Sequence, residues 1–271
     1  EGNGDMIPYS PASAFWMTNR VANACYKAYN IMFPTVDAEI DAWEASMTEA
    51  VAKADEEALK LYEECVNEDL KDIEILLAYS LLLLRVGEFA KARELLVKIQ
   101  RYPMKPEQKL NLYVNYAAAV FRMGEKEKAI DVLEKQHAKG ESGLVYETLG
   151  YLYVEMGDFD KALEYNKLAL DYDEEDPVTL DNLGQAYYRL KGDKETAKKY
   201  FDQAIELKPS QIDTRYFLAL YDIEAGNTEK ARETLEELLK ARISPLNYAT
   251  LERIQSQLNA LGTGAAGALQ N

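Results

Sequence analysis

Residues 143–209 read GLVYETLGYLYVEMGDFDKALEYNKLALDYDEEDPVTLDNLGQAYYRLKGDKETAKKYFDQAIELKP, and this stretch states one helix–turn–helix pattern twice. In each half, a helical run of apolar residues ends at a glycine, and a second helical run carries an alanine five residues later. Self-similarity at a period of about 34 residues is the sequence signature of stacked helix pairs. The stretch therefore predicts an all-α solenoid.

The same glycine–alanine spacing recurs through most of the chain. Its five occurrences are Gly87/Ala92, Gly124/Ala129, Gly157/Ala162, Gly192/Ala197 and Gly226/Ala231. A glycine can adopt positive φ and end a helix, while an alanine permits two helices to cross closely. A second small residue precedes each glycine by seven residues, or by eight before Gly192; these are Ser80, Ala117, Gly150, Gly184 and Ala219. We predict about five clear helix pairs, with a one-residue insertion near Lys191.

These residues resemble the tetratricopeptide repeat family, whose pattern runs W-x₂-L-G-x₂-Y, then A-x₃-F, then P. Two units match best. The first matches at Tyr146, Leu149, Gly150, Tyr153, Gly157, Ala162 and Ala169, and the second at Leu180, Leu183, Gly184, Tyr187, Ala197, Phe201, Ala204 and Pro209. Asn166 stands where an aromatic residue is usual. The resemblance spans about residues 39–242 and implies a right-handed α-solenoid of antiparallel helix pairs.

Both ends of the chain depart from the repeat. We expect an N-terminal arm and an amphipathic helix in residues 1–35. The repeat domain is expected in residues 36–242, beginning with a degenerate repeat whose helices cover about 37–52 and 54–68. Residues 243–271 are expected to form a capping helix and a flexible tail. Ser244-Pro245 predicts the start of that helix, because a capping residue precedes a proline. Its apolar stripe, which would cover the last repeat, consists of Leu251, Ile254, Leu258 and Leu261.

Composition excludes several classes of function. The 271 residues include 31 cationic and 47 acidic side chains, for a net charge of −16. Such a field repels a phosphate backbone, so we expect no nucleic-acid partner. The one histidine, His137, cannot build a metal site, and no catalytic motif appears. We therefore predict a protein that is not an enzyme and uses no cofactor or metal.

Two minor features are assigned ordinary structural roles. The acidic run at residues 171–177 lacks the glycine and glutamate that a helix–loop–helix calcium site requires, and is interpreted as a solvated turn. Cys25 and Cys65 are interpreted as small core residues, since two cysteines do not make a disulfide framework.

The resemblance also implies a binding surface. In that family, the first helices of successive repeats line a concave groove that holds an extended peptide or a partner helix. Carried onto this chain, the implied groove residues are Leu81, Arg85, Asn115, Phe121, Arg122, Tyr151, Asn182, Gln185, Tyr188, Arg189, Tyr216 and Leu220. Aromatic, amide and arginine side chains suit a peptide ligand. No lysine falls in the groove, so we do not expect the family's clamp for a C-terminal carboxylate.

Two hypotheses of function follow. The first is a non-catalytic protein–protein interaction scaffold that binds a peptide or helical segment of a partner in the groove. The alternative is a structural or assembly subunit, homo-oligomeric or anchored through its N-terminal segment; in a variant of this idea, the arm at residues 1–9 lies in the protein's own groove. No run of 18 apolar residues occurs, so we expect no membrane span. A cytoplasmic location is expected, with an extracytoplasmic or membrane-anchored one as the alternative if a leader precedes Glu1.

Overall fold

The fold consists of helices stacked in pairs. The computed structural model describes residues 44–67 and 71–262, and in them it contains twelve α-helices and one π-helical turn. The helices are α1 (Glu44–Asn67), α2 (Ile73–Arg85), α3 (Phe89–Ile99), α4 (Pro106–Arg122), α5 (Lys126–His137), α6 (Gly143–Met156), α7 (Phe159–Tyr172), α8 (Pro177–Gln185), α9 (Lys194–Leu207), α10 (Ile212–Glu224), α11 (Thr228–Leu239) and α12 (Leu251–Gly262), with the π-helical turn Ala186–Lys191 directly after α8.

Five of these pairs form the repeats: α2/α3, α4/α5, α6/α7, α8/α9 and α10/α11. The two helices of each pair pack together, and each second helix also packs on the first helix of the next pair. The first helices α2, α4, α6, α8 and α10 additionally contact one another in sequence along the stack. They therefore form the inner layer, as expected for a curved helical repeat solenoid.

The turn glycines behave as the sequence predicts. All five have φ between 66° and 86°, which is the left-handed region where a side chain would be strained. At the first of them, the amide of Glu88 donates to the carbonyl of Leu83 at 2.8 Å, closing a C-terminal cap on α2. Each glycine thus ends a first helix and turns the chain into the second.

The predicted small residues lie where paired helices cross. Ser80, Ala117 and Ala219 are at most 1% exposed, and the five paired alanines are fully buried. A Cβ atom added to Gly184 would stand 2.5 Å from Cε1 of Phe201, which is itself fully buried. The crossing therefore leaves no room for a side chain at this position.

The extra residue before Gly192 is absorbed by the π-helical turn. Residues 186–191 wind more widely than the α-helix they continue, and the amide of Asp193 donates to the carbonyl of Tyr187 at 3.1 Å. A single π turn accommodates one inserted residue without breaking the helix. The predicted insertion is confirmed, and it lies in the inner layer.

The predicted helix break in the first unit is wrong. Instead of helices at 37–52 and 54–68, α1 runs without interruption from Glu44 to Asn67. Residues 50–56 contain neither glycine nor proline, so nothing in them ends a helix. The N-terminal arm, the helix expected before residue 36, Cys25 and the C-terminal tail lie outside the described residues.

The predicted start of the last helix is also wrong. Helix α12 begins at Leu251, while Ser244 and Asn247 form a turn. The amide of Ser244 donates to Oδ1 of Asn247 at 2.7 Å, and Oγ of Ser244 accepts from the amide of Leu246 at 3.3 Å. A Ser-Pro pair can open a turn as readily as a helix. Leu251 is 53% exposed, so the stripe that covers the last repeat is reduced to Ile254, Leu258 and Leu261.

Substitution of Gly184 tests the close crossing. We expect Gly184→Ala to lower the free energy of unfolding by about 1–2 kcal/mol, because overpacking against Phe201 outweighs the gain in helix propensity. Chemical denaturation measures this change. Gly140→Ala is the matched control, since nothing lies within 4 Å of a Cβ there. Equal stability of the two variants would contradict the assignment of Gly184 as a steric requirement.

Candidate functional site

The predicted groove residues lie on the inner-layer helices and the π-helical turn, but many are covered. Leu81, Arg85, Asn115, Tyr188, Arg189 and Leu220 are half-buried; Phe121, Tyr151, Asn182, Gln185 and Tyr216 are buried; and Arg122 is exposed. Tyr151 is 5% exposed and Gln185 is 0% exposed, although register places both toward the concave side. The concave face is therefore partly closed to solvent.

Two of the groove asparagines bind neighbouring repeats. Nδ2 of Asn182 donates to the carbonyl of Glu147 at 3.0 Å and to Oδ1 of Asn166 at 3.2 Å. Nδ2 of Asn115 donates to Oγ of Ser80 at 3.0 Å. The bond to Asn166 also explains the departure from an aromatic residue there, because its buried amide gives Asn182 an acceptor that a ring would not. Both asparagines join successive repeats.

Two buried acids connect α8 to α10. Nε2 of Gln185 donates to Oδ2 of Asp181 at 2.7 Å and to Oδ2 of Asp213 at 3.3 Å. The hydroxyl of Thr214 donates to Oδ1 of Asp181 at 2.6 Å. Burial, followed by the charge of Asp213, raises the pKa of Asp181 above that of an ordinary carboxyl. Burial raises the pKa of Asp213 as well, against the effect of backbone donors.

Those backbone donors come from the irregular chain between α11 and α12. We call residues 241–250 the return segment. The amide of Tyr248 donates to Oδ2 of Asp213 at 2.9 Å, and the amide of Ala249 donates to Oδ1 at 2.8 Å. One carboxylate of an inner-layer helix thus holds two consecutive main-chain amides, an interaction that is stronger than a neutral hydrogen bond.

The ring of Tyr248 packs on the same wall. It stacks on Phe217 with centroids 5.3 Å apart and meets Tyr216 edge-on at 6.1 Å. The guanidinium carbon of Arg189 lies 3.9 Å from its centroid, and that of Arg253 lies 4.0 Å from it. Aromatic and cation–π contacts of this kind hold a ring in one orientation.

The return segment also reaches the first repeats. Leu246 packs against both the core of α1–α4 and the core formed by α4–α7 with Ala186 of the π-helical turn. Nη2 of Arg242 lies 3.3 Å from Oδ1 of Asp55 on α1, and their side chains are 24% and 11% exposed. The segment therefore contacts the structure from α1 to α10, and it covers the concave face that register alone leaves open.

Asp55, Asp213 and the return segment were not predicted from the sequence. One feature of the sequence could have indicated the segment. Leu246 and Tyr248 are large residues that precede the predicted stripe of the last helix, which starts at Leu251, so that helix does not explain them. Cys65 and the acidic run at residues 171–177 both have structural positions. Cys65 is buried, and the acidic turn ends with Asp176, which caps α8 by accepting from the amides of Val178 and Thr179.

Within residues 44–67 and 71–262, no group of three or more histidine, cysteine or acidic side chains could hold a metal ion. In the same part of the chain, no helix is both long and apolar enough to cross a membrane. His137 packs edge-on against Tyr146 at 5.3 Å and Tyr165 at 5.8 Å.

Comparison with known proteins agrees with this architecture. Residues 144–176 and 188–251 match two profiles that are both described as tetratricopeptide repeat. The chain contains tetratricopeptide repeats. A stack of such repeats has the fold of a protein–protein interaction scaffold.

Among curated proteins, this chain is similar to the Sol locus transcriptional repressor of Clostridium acetobutylicum. The two are 32% identical over 112 residues, which is 41% of this chain and 33% of the repressor. The match thus covers about a third of the repressor and less than half of this chain.

Two solved structures show the same fold. A thermophilic tetratricopeptide repeat protein of Thermus thermophilus is 23% identical with a TM-score of 0.50, covering 64% of this chain and 93% of that one. A tetratricopeptide repeat protein of Parabacteroides merdae is 14% identical with a TM-score of 0.51, covering 92% of this chain and 88% of that one.

The buried acids predict a dependence of stability on pH. The folded pKa of Asp181 exceeds its unfolded value of about 3.9, so the folded state keeps a proton that the unfolded state has lost. The free energy of unfolding should fall as pH rises from about 4 towards the raised pKa, by about 1.4 kcal/mol per pH unit for one such group. Asp181→Asn cannot ionise and should reduce this slope.

Urea denaturation of both proteins at pH 5, 6 and 7 measures the slope. Glu147, whose pKa burial raises to about 8, and Asp213, whose pKa burial also raises, remain in the variant and keep part of the decline. Asp131→Asn, at an exposed position of α5, is the control and should follow the wild type. Identical slopes for wild type and Asp181→Asn would show that Asp181 does not hold the proton.

Proposed function

We propose that this protein is a non-catalytic scaffold that binds an extended segment of a partner protein along its concave face. The observation that supports this function is that ten residues of irregular chain already lie against that face. They make both main-chain and side-chain contacts with the first helices, and these are the two kinds of contact that peptide recognition requires.

The chemistry of the wall favours a polypeptide. Asp213 accepts two main-chain amides, which any extended segment offers whatever its sequence. Phe217 and Tyr216 provide rigid apolar area, and the guanidinium of Arg189 lies 3.9 Å from the centroid of the Tyr248 ring. Rings and arginines are the residues that dominate protein–protein contacts. The net charge of −16 disfavours a nucleic acid at the same place.

Site-specific photo-crosslinking tests the proposed function. A photoreactive residue is placed at Leu81 or Leu220, both half-buried on inner-layer helices, in cells that produce the protein. We expect both positions to form intermolecular crosslinks to one contiguous segment of a partner protein. Val97, 38% exposed on the second helix α3, is the control position and should not crosslink to that segment. Crosslinks confined to Val97, or crosslinks to nucleic acid, would contradict the proposal.

A further inference from the structure

We propose that the return segment is a built-in mimic of the partner, and that the partner segment carries its three anchors in the same order. The anchors are the guanidinium of Arg242, the aliphatic side chain of Leu246 and the ring of Tyr248. The ligand is thus an irregular, non-helical peptide with an arginine, an aliphatic residue four positions later and an aromatic residue two positions after that, and with a turn between the arginine and the aromatic residue. This inference rests on the proposed function and names the chemistry of the partner.

Each anchor contacts a different part of the concave face. Arg242 meets Asp55 on α1, Leu246 lies between the two N-terminal cores, and Tyr248 stacks on Phe217 of α10. Between them, Pro245 is buried and Ser244 closes a turn with Asn247. A segment fixed at three separated points along one face is recognised by spacing as well as by chemistry.

The segment lies between two helices and is not itself part of either. Helix α11 ends at Leu239, and α12 begins at Leu251, with Ile254, Leu258 and Leu261 buried in a core shared with α10 and α11. The return segment contains no helix or strand of its own. Lifting residues 241–250 away breaks the two amide bonds to Asp213 and the packing of the fully buried Ala249, but it breaks no helix.

The N-terminal end of the segment lies beside a second cation. Here Arg242 pairs with Asp55, and the charges of both act on the guanidinium of Arg85. Burial lowers the pKa of Arg85, and the charge of Arg242 lowers it further. Nη1 of Arg85 is buried and has no hydrogen-bond partner among the described residues. A buried donor without a partner costs free energy.

Because the return segment is part of the same chain as the concave face, it competes strongly with a free peptide for that face. Because both of its ends are attached, the return segment acts at an effective concentration of about millimolar, which a free peptide with the same anchors must exceed. A peptide should therefore bind weakly to the closed protein and more tightly once the resident anchors are removed.

The test uses the full chain and a synthetic peptide of residues 241–249, ARISPLNYA, with blocked ends and a fluorophore. The variant Leu246→Ser/Tyr248→Ser lacks two resident anchors but keeps the surfaces they contact. Fluorescence anisotropy should show at least tenfold tighter binding of the peptide to this variant than to the wild type. A control peptide with serine at the same two positions should not bind, and Leu251→Ser, just outside the segment, should behave as the wild type.

The inference is overturned if the variant, with an unchanged helical circular dichroism spectrum, binds the peptide no better than the serine control. Arg242→Ala provides a second variant that keeps the aromatic anchor in place. It should strengthen peptide binding at least threefold, and no change would also count against the mimic. Wild-type dimers that disappear in the double variant would assign the segment to a second copy of the chain and overturn the single-chain account.

The two proposals fail in distinguishable ways. If the peptide does not bind but Leu81 and Leu220 still crosslink to a partner segment, the concave face is a binding surface for a different chemistry. If the crosslinks are absent as well, the proposed function itself fails.

Discussion

The structure depends on how closely the two helices of each repeat cross. At Gly184 the partner ring of Phe201 occupies the place where a side chain would be, and Ala197 is fully buried in the same helix pair. Small residues recur at the same crossing in all five pairs, and the second helix of each pair packs on the first helix of the next. This stacking brings the inner-layer helices close together and gives them a common concave face, on which every candidate binding residue depends.

The buried carboxylate of Asp213 connects the stacked helix pairs to the return segment. Asp213 shares the amide of Gln185 with Asp181 across two repeats, and it also accepts the two amides of the return segment. Groups in one buried network are energetically coupled. A change in the return segment should therefore alter the hydrogen bonds between α8 and α10. The occupied groove is thus part of the polar interior of the last repeats.

Local patterns in the sequence predict the repeats well because their causes are local. The eight-residue spacing before Gly192 predicts an insertion, and the π-helical turn at 186–191 absorbs it. The return segment is different: Arg242 and Asp55 are separated by 187 positions, and no periodicity relates them. Ser244-Pro245 suits a helix start or a turn equally, and only tertiary contacts decide between them. The same contacts decide exposure, so register could place Tyr151 on the concave side without showing that it is covered.

Amide hydrogen exchange at Tyr248 and Ala249 tests the central claim, that the protein's own chain fills its concave face. Both amides are bonded to the buried carboxylate of Asp213 and lie in a segment with no helix or strand to protect them otherwise. We predict that both exchange about a hundredfold or more slowly than in an unstructured peptide, when followed by NMR in the full-length protein. Exchange of both amides at the unstructured rate would contradict the account, because the groove would then be open.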